Sequence, residues 1–600
     1  MEQTLNNRMP SPAFRRFRKI TNFFKKPQNV ILLVLGILLS IFTIVPIVAI
    51  VRDAFVIHTG TIESDSTGRV DGYTLWNFID LFTGSLAKKN LWIPLGNTLA
   101  MSVIACFTAL LFGGLVAYLI TRTNLKYKKY ISSIFIFPYI MPQWTLAMVW
   151  RNLFNSASVT GGADGLLAAL FNIRLPLWWC SGLFPSAIVL GLHYAPFAYI
   201  LIGGIFKNMD ANLEEAATIL NTPRWKIFTR VTLPMVKPAI LSTILLVFSS
   251  AMGSYPVPHY LNFTTMATRY VEINGSRPGA SSIIAIIMML IGVGILLVNQ
   301  ASTSGRKQYT TVTGKSGQAS KINLGKIGKY ALGIILIVAT FFTSIYPIIS
   351  FTMETFLPNP GDYSGFTLKW WITSNAGGEN GLYGNLGILY NKEIWNSFLG
   401  TLRVAFVASI LAGTIGFLVG YAVSKSRKSK WAGYVNGIAF LPYLLPSLAV
   451  GAAYFVIGLE FSIWGTYLLF ILVGTIKYIP FSSRSSLNAM MQISGEIEEA
   501  GIIQNIPWWK RMLKIVVPIQ KTSIISGYLL PFITAMRELT LFMMLGPMGM
   551  IVTTMLDYYD EMGLYAFSSG INLILIITIL LCNWLINKLT GASLDKSIGG

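Results

Sequence analysis

Charge is what this sequence lacks most. Only 12% of its 600 residues are Asp, Glu, Lys or Arg, about half the share of a soluble globular protein. That is too little to cover a soluble surface of this size, so the soluble class is excluded. Cysteine is almost absent. Cys106, Cys180 and Cys582 lie in or beside apolar stretches, without the spacing of a disulfide framework or a metal site, and read as packed or lipid-facing residues. Acids are scarce too, 24 against 46 bases. The surplus of bases does not indicate nucleic acid, because no stacking aromatics accompany the basic clusters in a polar domain.

What is present is apolar and comes in long blocks. Val30 to Val51, Thr98 to Ile120, Leu183 to Phe206 and Ile571 to Leu585 each reach, or nearly reach, the length of a helix crossing about 30 Å of hydrocarbon. The expected fold is an all-α polytopic membrane protein of about twelve spans. Six lie near Val30–Val51, Pro94–Thr121, Ile131–Phe154, Leu183–Phe206, Val236–Tyr255 and Ser281–Asn299. Six more lie near Tyr330–Phe351, Ser397–Ser424, Tyr434–Ile457, Phe461–Leu487, Ser523–Leu545 and Ala566–Leu589.

The bases sit between these blocks: Arg15, Arg16, Arg18, Lys19, Lys25 and Lys26; Lys126, Lys128 and Lys129; Lys425, Arg427, Lys428 and Lys430. By the positive-inside rule these loops and both termini are cytoplasmic. The acids collect in loops on the other side, among them Asp53, Glu63, Asp65, Asp71 and Asp80, and Asp557, Asp560 and Glu561. The basic segment 1–29 is too long for a signal peptide, and no small-residue cleavage site follows the first apolar block. Residues 301–328 are rich in Ser, Thr, Gly and Lys and contain no acid; they read as a flexible cytoplasmic linker between a first unit at 30–300 and a second at 329–590. Residues 591–600 form a tail. Within the linker, Gly314-Lys315-Ser316 imitates the end of a P-loop, but Tyr309 stands where its first glycine belongs and no strand precedes it. Any ATP chemistry therefore belongs to a partner.

The two units repeat. Phe137-Pro138-Tyr139-Ile140-Met141-Pro142 matches Leu441-Pro442-Tyr443-Leu444-Leu445-Pro446. Tyr194-Ala195-Pro196-Phe197 matches Tyr478-Ile479-Pro480-Phe481, Glu214-Glu215-Ala216-Ala217 matches Glu498-Glu499-Ala500-Gly501, and Pro234 matches Pro518. The last three pairs share one offset. An even number of spans per unit inserts both copies the same way up, as two parallel six-helix repeats about an axis along the membrane normal.

The duplicated block near 210–234 and 494–518 places acids in the first turn of a short helix, which suits its dipole. Asn221 or Asn505 then tolerates a left-handed turn, and Pro223 or Pro507 stops the helix. Each copy is an elbow, helix–turn–helix. This pattern resembles the EAA loop of ABC importer permeases: Glu-Ala-Ala, three residues, Gly, nine residues, Ile-x-Leu-Pro. The resemblance implies two cytosolic ABC ATPase subunits gripping Glu214, Glu215, Ala216, Ala217 and Asn221 in one copy, and Glu498, Glu499, Ala500, Gly501 and Asn505 in the other. Asn replaces the family's glycine in both, and Asn is a common substitute in the left-handed region.

Charges inside spans are costly and mark candidate sites. Arg537 and Glu538 are expected within the eleventh span, as substrate contacts or as a buried pair. His193 and Lys477 occupy equivalent positions and are expected to reach towards an interface. Tyr139 with Pro142, and Tyr443 with Pro446, are pore or gate candidates, since prolines free carbonyls that only protein or a water-filled cavity can satisfy. The likeness to fused permeases with two EAA loops is closest to the ferric-iron branch and also fits importers of thiamine, a phosphonate or a sugar phosphate. It implies an external substrate-binding protein, membrane lipid around the spans, a bacterial plasma membrane (the inner one if Gram-negative), and no enzyme activity, cofactor or resident metal. No His, Asp or Tyr cluster has the spacing of an iron site. The rival reading, a transporter driven by an ion gradient, wants paired intramembrane carboxylates, and only Glu538 lies clearly in a span.

Overall fold

A computed structural model describes residues 23–24, 26–208, 212–303, 322–374, 384–427, 429–491, 493 and 495–590. Most of the N-terminal basic segment, Asp210, linker residues 304–321 and the tail 591–600 lie outside the described residues. Helices dominate, and strand-like pairing among the described residues is limited to two isolated bridges, Val56 with Tyr73 and Thr123 with Ile322.

The first unit contributes α1 (Pro27–Asp53), α2 (Ile93–Arg122), the bent pair α3 (Lys128–Ile140) and α4 (Thr145–Phe154), α5 (Leu183–Asn208), the elbow helix α6 (Asn212–Ile219), α7 (Leu233–Met252) and α8 (Pro278–Thr303). The second contributes α9 (Gly325–Glu354), α10 (Lys392–Lys425), the bent pair α11 (Lys430–Leu444) and α12 (Ser447–Glu460), α13 (Tyr467–Met490) and the elbow helix α14 (Gly495–Ile503). It ends with α15 (Lys521–Met536), α16 (Val552–Glu561) and α17 (Tyr565–Thr590).

Among the described residues eight helices are long and apolar enough to cross a membrane, and three bent pairs raise the number to 11. α13 falls short because Lys477, Arg484 and its serines dilute its apolar run, yet it packs between α10 and α15. With α13 as a span, the twelve expected segments are accounted for.

The bends have a local cause. A residue before proline is pushed out of the helical region, and Met141 before Pro142 and Leu445 before Pro446 are both extended, with ψ of 157° and 137°. The chain turns by 98° and 101° at these two points. In each unit the long second and fifth helices pack closely through glycine. A side chain at Gly113 would strike the Ala195 carbonyl, and one at Gly416 would strike Ser482 and Ser483. Close backbone approach of this kind replaces the hydrophobic drive that is missing inside a membrane.

Each unit lends its first helix to the other. α1 lies against α10, α11 and α12, with Trp431 Nε1 donating to the Leu32 carbonyl at 3.0 Å, Ser40 and Tyr434 hydroxyls 2.7 Å apart, and Arg52 paired to Glu460 at 3.0 Å. In return α9 lies against the first unit, with Ser344 Oγ donating to the Ile134 carbonyl at 3.0 Å. The repeats are thus interlocked by exchanged arms.

At the end opposite the elbows, the loop after α1 is tied down by one imidazole. His58 bonds Asp53 and Glu63 at 3.0 Å each. Glu63 in turn accepts from the Gly279 N–H and Asp53 from the Ser282 hydroxyl, both at 2.6 Å. Burial opposes the imidazolium charge, but the two carboxylates outweigh it and raise His58 from 6.5 to about 9. A raised histidine stabilises the fold fully below its unfolded value and loses that contribution as pH rises through the folded one. Hydrogen exchange in residues 55–75 is therefore expected to stay slow at pH 6 and to accelerate between about pH 8 and 10, a change absent from His58→Gln.

Candidate functional site

The elbows form as their sequence dictates. Asn221 and Asn505 have φ of +51° and +54°, and the turns close with Thr222 N–H on the Ala217 carbonyl and Ile506 N–H on the Gly501 carbonyl, both 3.0 Å. These are the bonds of a left-handed helix stop.

The paired glutamates have opposite fates. Glu215 and Glu499 are exposed, as are Ala216 and Ala500. Glu214 turns inward to Arg122, which is fully buried at the end of α2, and accepts from Thr232 Oγ1 at 2.7 Å. Glu498 turns inward to Lys425 Nζ at 2.5 Å and the Tyr421 hydroxyl at 2.7 Å, with Arg511 at 3.9 Å. Gly501 is buried against Arg511, and Ala217 is half-buried. Of the expected partner contacts, Glu214 and Glu498 therefore hold the elbow to α2 and α10, and Gly501 packs the two arms of its elbow together.

Sequence reasoning missed the apolar surface beside these glutamates. Ile219 is 81% exposed and Ile503 80%, and Trp225 is 73% exposed and Trp509 55%. Both pairs are separated by the same 284 residues as Glu215 and Glu499, a signal that was available in the chain.

The second feature is a cavity of about 120 Å³ lined by both units. Its lining pairs residues across the repeat: Tyr139 with Tyr443, His193 with Lys477, Tyr194 with Tyr478, Phe197 with Phe481. The pore candidates Tyr139, Tyr443, Pro446, Arg537 and Glu538 line it; Pro142 does not, although its neighbour Gln143 does.

Three expectations are corrected here. Arg537 and Glu538 do not lie within a continuous span, because α15 ends at Met536 and Arg537 caps it. They occupy the positions of Gly253 and Ser254, where α7 also ends. Nor do they form an ion pair with each other among the described residues. Arg537 crosses to the other unit, donating to the Met141 carbonyl at 3.2 Å with its guanidinium 4.4 Å from the centre of the Tyr139 ring. Glu538 accepts from the Tyr478 hydroxyl at 3.2 Å and the Leu541 N–H at 3.1 Å. Finally, Lys477 and His193 do not reach for an interface. Lys477 donates to the Pro442 and Leu445 carbonyls at 2.9 and 2.6 Å, and His193 is buried with its ring against those of Tyr139 and Tyr194. Lys477 thereby satisfies carbonyls that the proline break in its own unit releases.

Two cations face one carboxylate across this cavity, so its lining is net basic. Among the described residues no three His, Cys, Asp or Glu side chains gather closely enough to hold a metal ion. Two repeated sets of apolar helices, broken at matching prolines around a cavity that both line, define a multi-pass membrane protein.

The family model of the binding-protein-dependent transport system inner membrane component matches residues 109–308 and 412–592, more than half of the chain and once in each unit. The chain belongs to this family. Among its relatives are the ferric transport system permease protein FbpB of Actinobacillus pleuropneumoniae, 24% identical over 74% of this chain and 63% of the relative. FbpB 1 of Haemophilus influenzae, named for ferric transport, is 24% identical over 60% of this chain and 56% of the relative. The sulfate permease CysT of Escherichia coli is 24% identical over 26% of this chain and 54% of the relative. The chain thus spans about three fifths of the length of the two ferric relatives.

Proposed function

We propose that this chain is the membrane permease of an ATP-driven importer that moves ferric iron from an external binding protein to the cytoplasm by alternating access. Two cytosolic ATPase subunits grip the elbows, and both termini share their side of the membrane. The carrying observation is the pair of elbows, each presenting Glu, Ile and Trp at positions 284 residues apart (Glu215, Ile219, Trp225; Glu499, Ile503, Trp509). Large apolar side chains exposed to this degree beside a charge form a docking surface, and two equivalent copies suit two identical partners.

ATP-driven closure of the partners pulls α6 and α14 together. Because Glu214 is bonded to Arg122 at the end of α2 and Glu498 to Lys425 at the end of α10, the pull reaches the second helix of each unit directly. Those helices pack on α5 and α13, which carry His193 and Lys477 into the central cavity. The iron reading rests on the two ferric-transport relatives; the same scaffold would carry thiamine, a phosphonate or a sugar phosphate with different cavity contacts.

Combining Glu215→Lys with Glu499→Lys is expected to leave membrane insertion intact and release the ATPase, read by co-purification. An unchanged complex overturns the docking assignment. Uptake of radiolabelled ferric iron by proteoliposomes holding all subunits, against thiamine and a phosphonate, tests the cargo.

A further inference from the structure

A second polar cavity lies at the end of the molecule opposite the elbows and belongs to neither site above. It measures about 330 Å³ and is walled by both units: Arg151 and His259 come from the first, Glu354, Asp560, Glu561 and Tyr565 from the second. It has room for several waters.

Its charges do not cancel. Arg151 is engaged by Asp560 through two bonds of 2.6 and 2.8 Å, with its guanidinium 4.4 Å from the centre of the Tyr565 ring. Glu561 lies 3.5 Å from His259. Deeper in, Asp557 accepts from the Tyr260 hydroxyl at 2.7 Å. Glu354, the last residue of α9, is left over. It is only 7% exposed and lines the cavity, yet its carboxyl has no hydrogen bond and no ion pair among the described residues. A buried carboxylate is costly without a partner, and here the protein supplies none. With Arg151 and Asp560 paired and Glu561 set against His259, Glu354 is the acid of this lining left without a charged group in contact.

We infer that this chamber is a cation-binding vestibule, in which Glu354, assisted by Glu561, holds a hydrated, oxygen-preferring multivalent cation before it reaches the central cavity. Retained hydration follows from the lining. No three acidic, His or Cys side chains converge to strip the ion, and a site on a transport path must release what it binds. The central cavity sets Lys477 and Arg537 against Glu538 alone and opposes a free cation, so a holding site outside it gives the ion a place to wait. That the cation is the cargo rests on the importer reading; its binding does not.

The test uses the full chain in nanodiscs without ATPase or binding protein, and Tb³⁺ alone as the probe, since Tyr260 and Tyr565 stand close enough to sensitise its emission. Wild-type protein is expected to give saturable sensitised emission, with affinity at least tenfold weaker in Glu354→Gln and reduced less in Glu561→Gln. The inference is overturned by absent saturable emission in wild type, or by equal affinity in Glu354→Gln. If Glu354→Gln fails to fold, the more exposed Glu561→Gln decides by the same comparison. Tb³⁺ bound as expected, without ferric uptake in the complete transporter, sinks the cargo reading and leaves the vestibule. Ferric uptake with Tb³⁺ binding indifferent to Glu354 does the reverse.

Discussion

Glu214→Ala is expected to loosen the first elbow by about 3–5 kcal/mol, the range for removing one partner of a buried ion pair. The side chain left behind is Arg122, 1% exposed at the tip of α2 and unable to turn to water. Thr232 loses its acceptor in the same change. The equivalent Glu498→Ala is expected to cost less, about 1–2 kcal/mol. Lys425 is 32% exposed and can swing outward, and the Tyr421 hydroxyl keeps the Trp508 N–H as a partner. Hydrogen exchange in residues 212–232 and 495–516 reads both effects separately. Replacing the pair together, Arg122→Met with Glu214→Leu, is expected to recover most of the loss, because paired apolar residues of similar size are often neutral at such a site. If single and double variants exchange alike, Glu214 does not hold the elbow through Arg122. On the proposed coupling to ATPase subunits, Glu214→Ala is expected to keep ATP hydrolysis while uptake falls, since the pull no longer reaches α2.

Arg537→Ala has the second largest expected effect, on the central cavity instead of the elbow. Arg537 ties the end of α15 to the break between α3 and α4. It contributes a charged hydrogen bond to Met141, about 1.5–3 kcal/mol, and a contact with the Tyr139 ring worth about 0.5–2 kcal/mol. Losing both shifts the balance between closed and open cavities by about two orders of magnitude, at 1.4 kcal/mol per tenfold. A cysteine placed at Gln143, which lines the cavity, is then expected to react with maleimide far faster. Arg537→Lys keeps the charge but loses the planar stack and is expected to fall between. Unchanged reactivity in Arg537→Ala means the cavity is closed by something else.

Much of the scaffold was legible before any coordinates. Span length follows from hydrocarbon thickness, so apolar blocks can be counted, and even α13 was visible despite its lysine and arginine. Asn221 and Asn505 were legible because few residues other than glycine tolerate a left-handed turn. The elbow glutamates were legible as a motif but not as two roles. Glu214 and Glu215 are neighbours on one helix, and only the placement of α6 against Arg122 decides which of them points inward. Arg537 was misplaced for a related reason. Apolar residues continue past it to Leu545, and composition does not report that the helix stops at Met536.

The sequence by itself determined the membrane class, the duplication and the elbow turns, because each depends on local chain chemistry or on self-comparison. Tertiary structure alone decided the exchange of α1 and α9 between units, the carbonyl bonds of Lys477, the burial of His193, and the leftover carboxyl of Glu354. Those depend on which apolar face meets which. An apolar stripe on a membrane helix is equally content against lipid or protein, so only packing selects its partner.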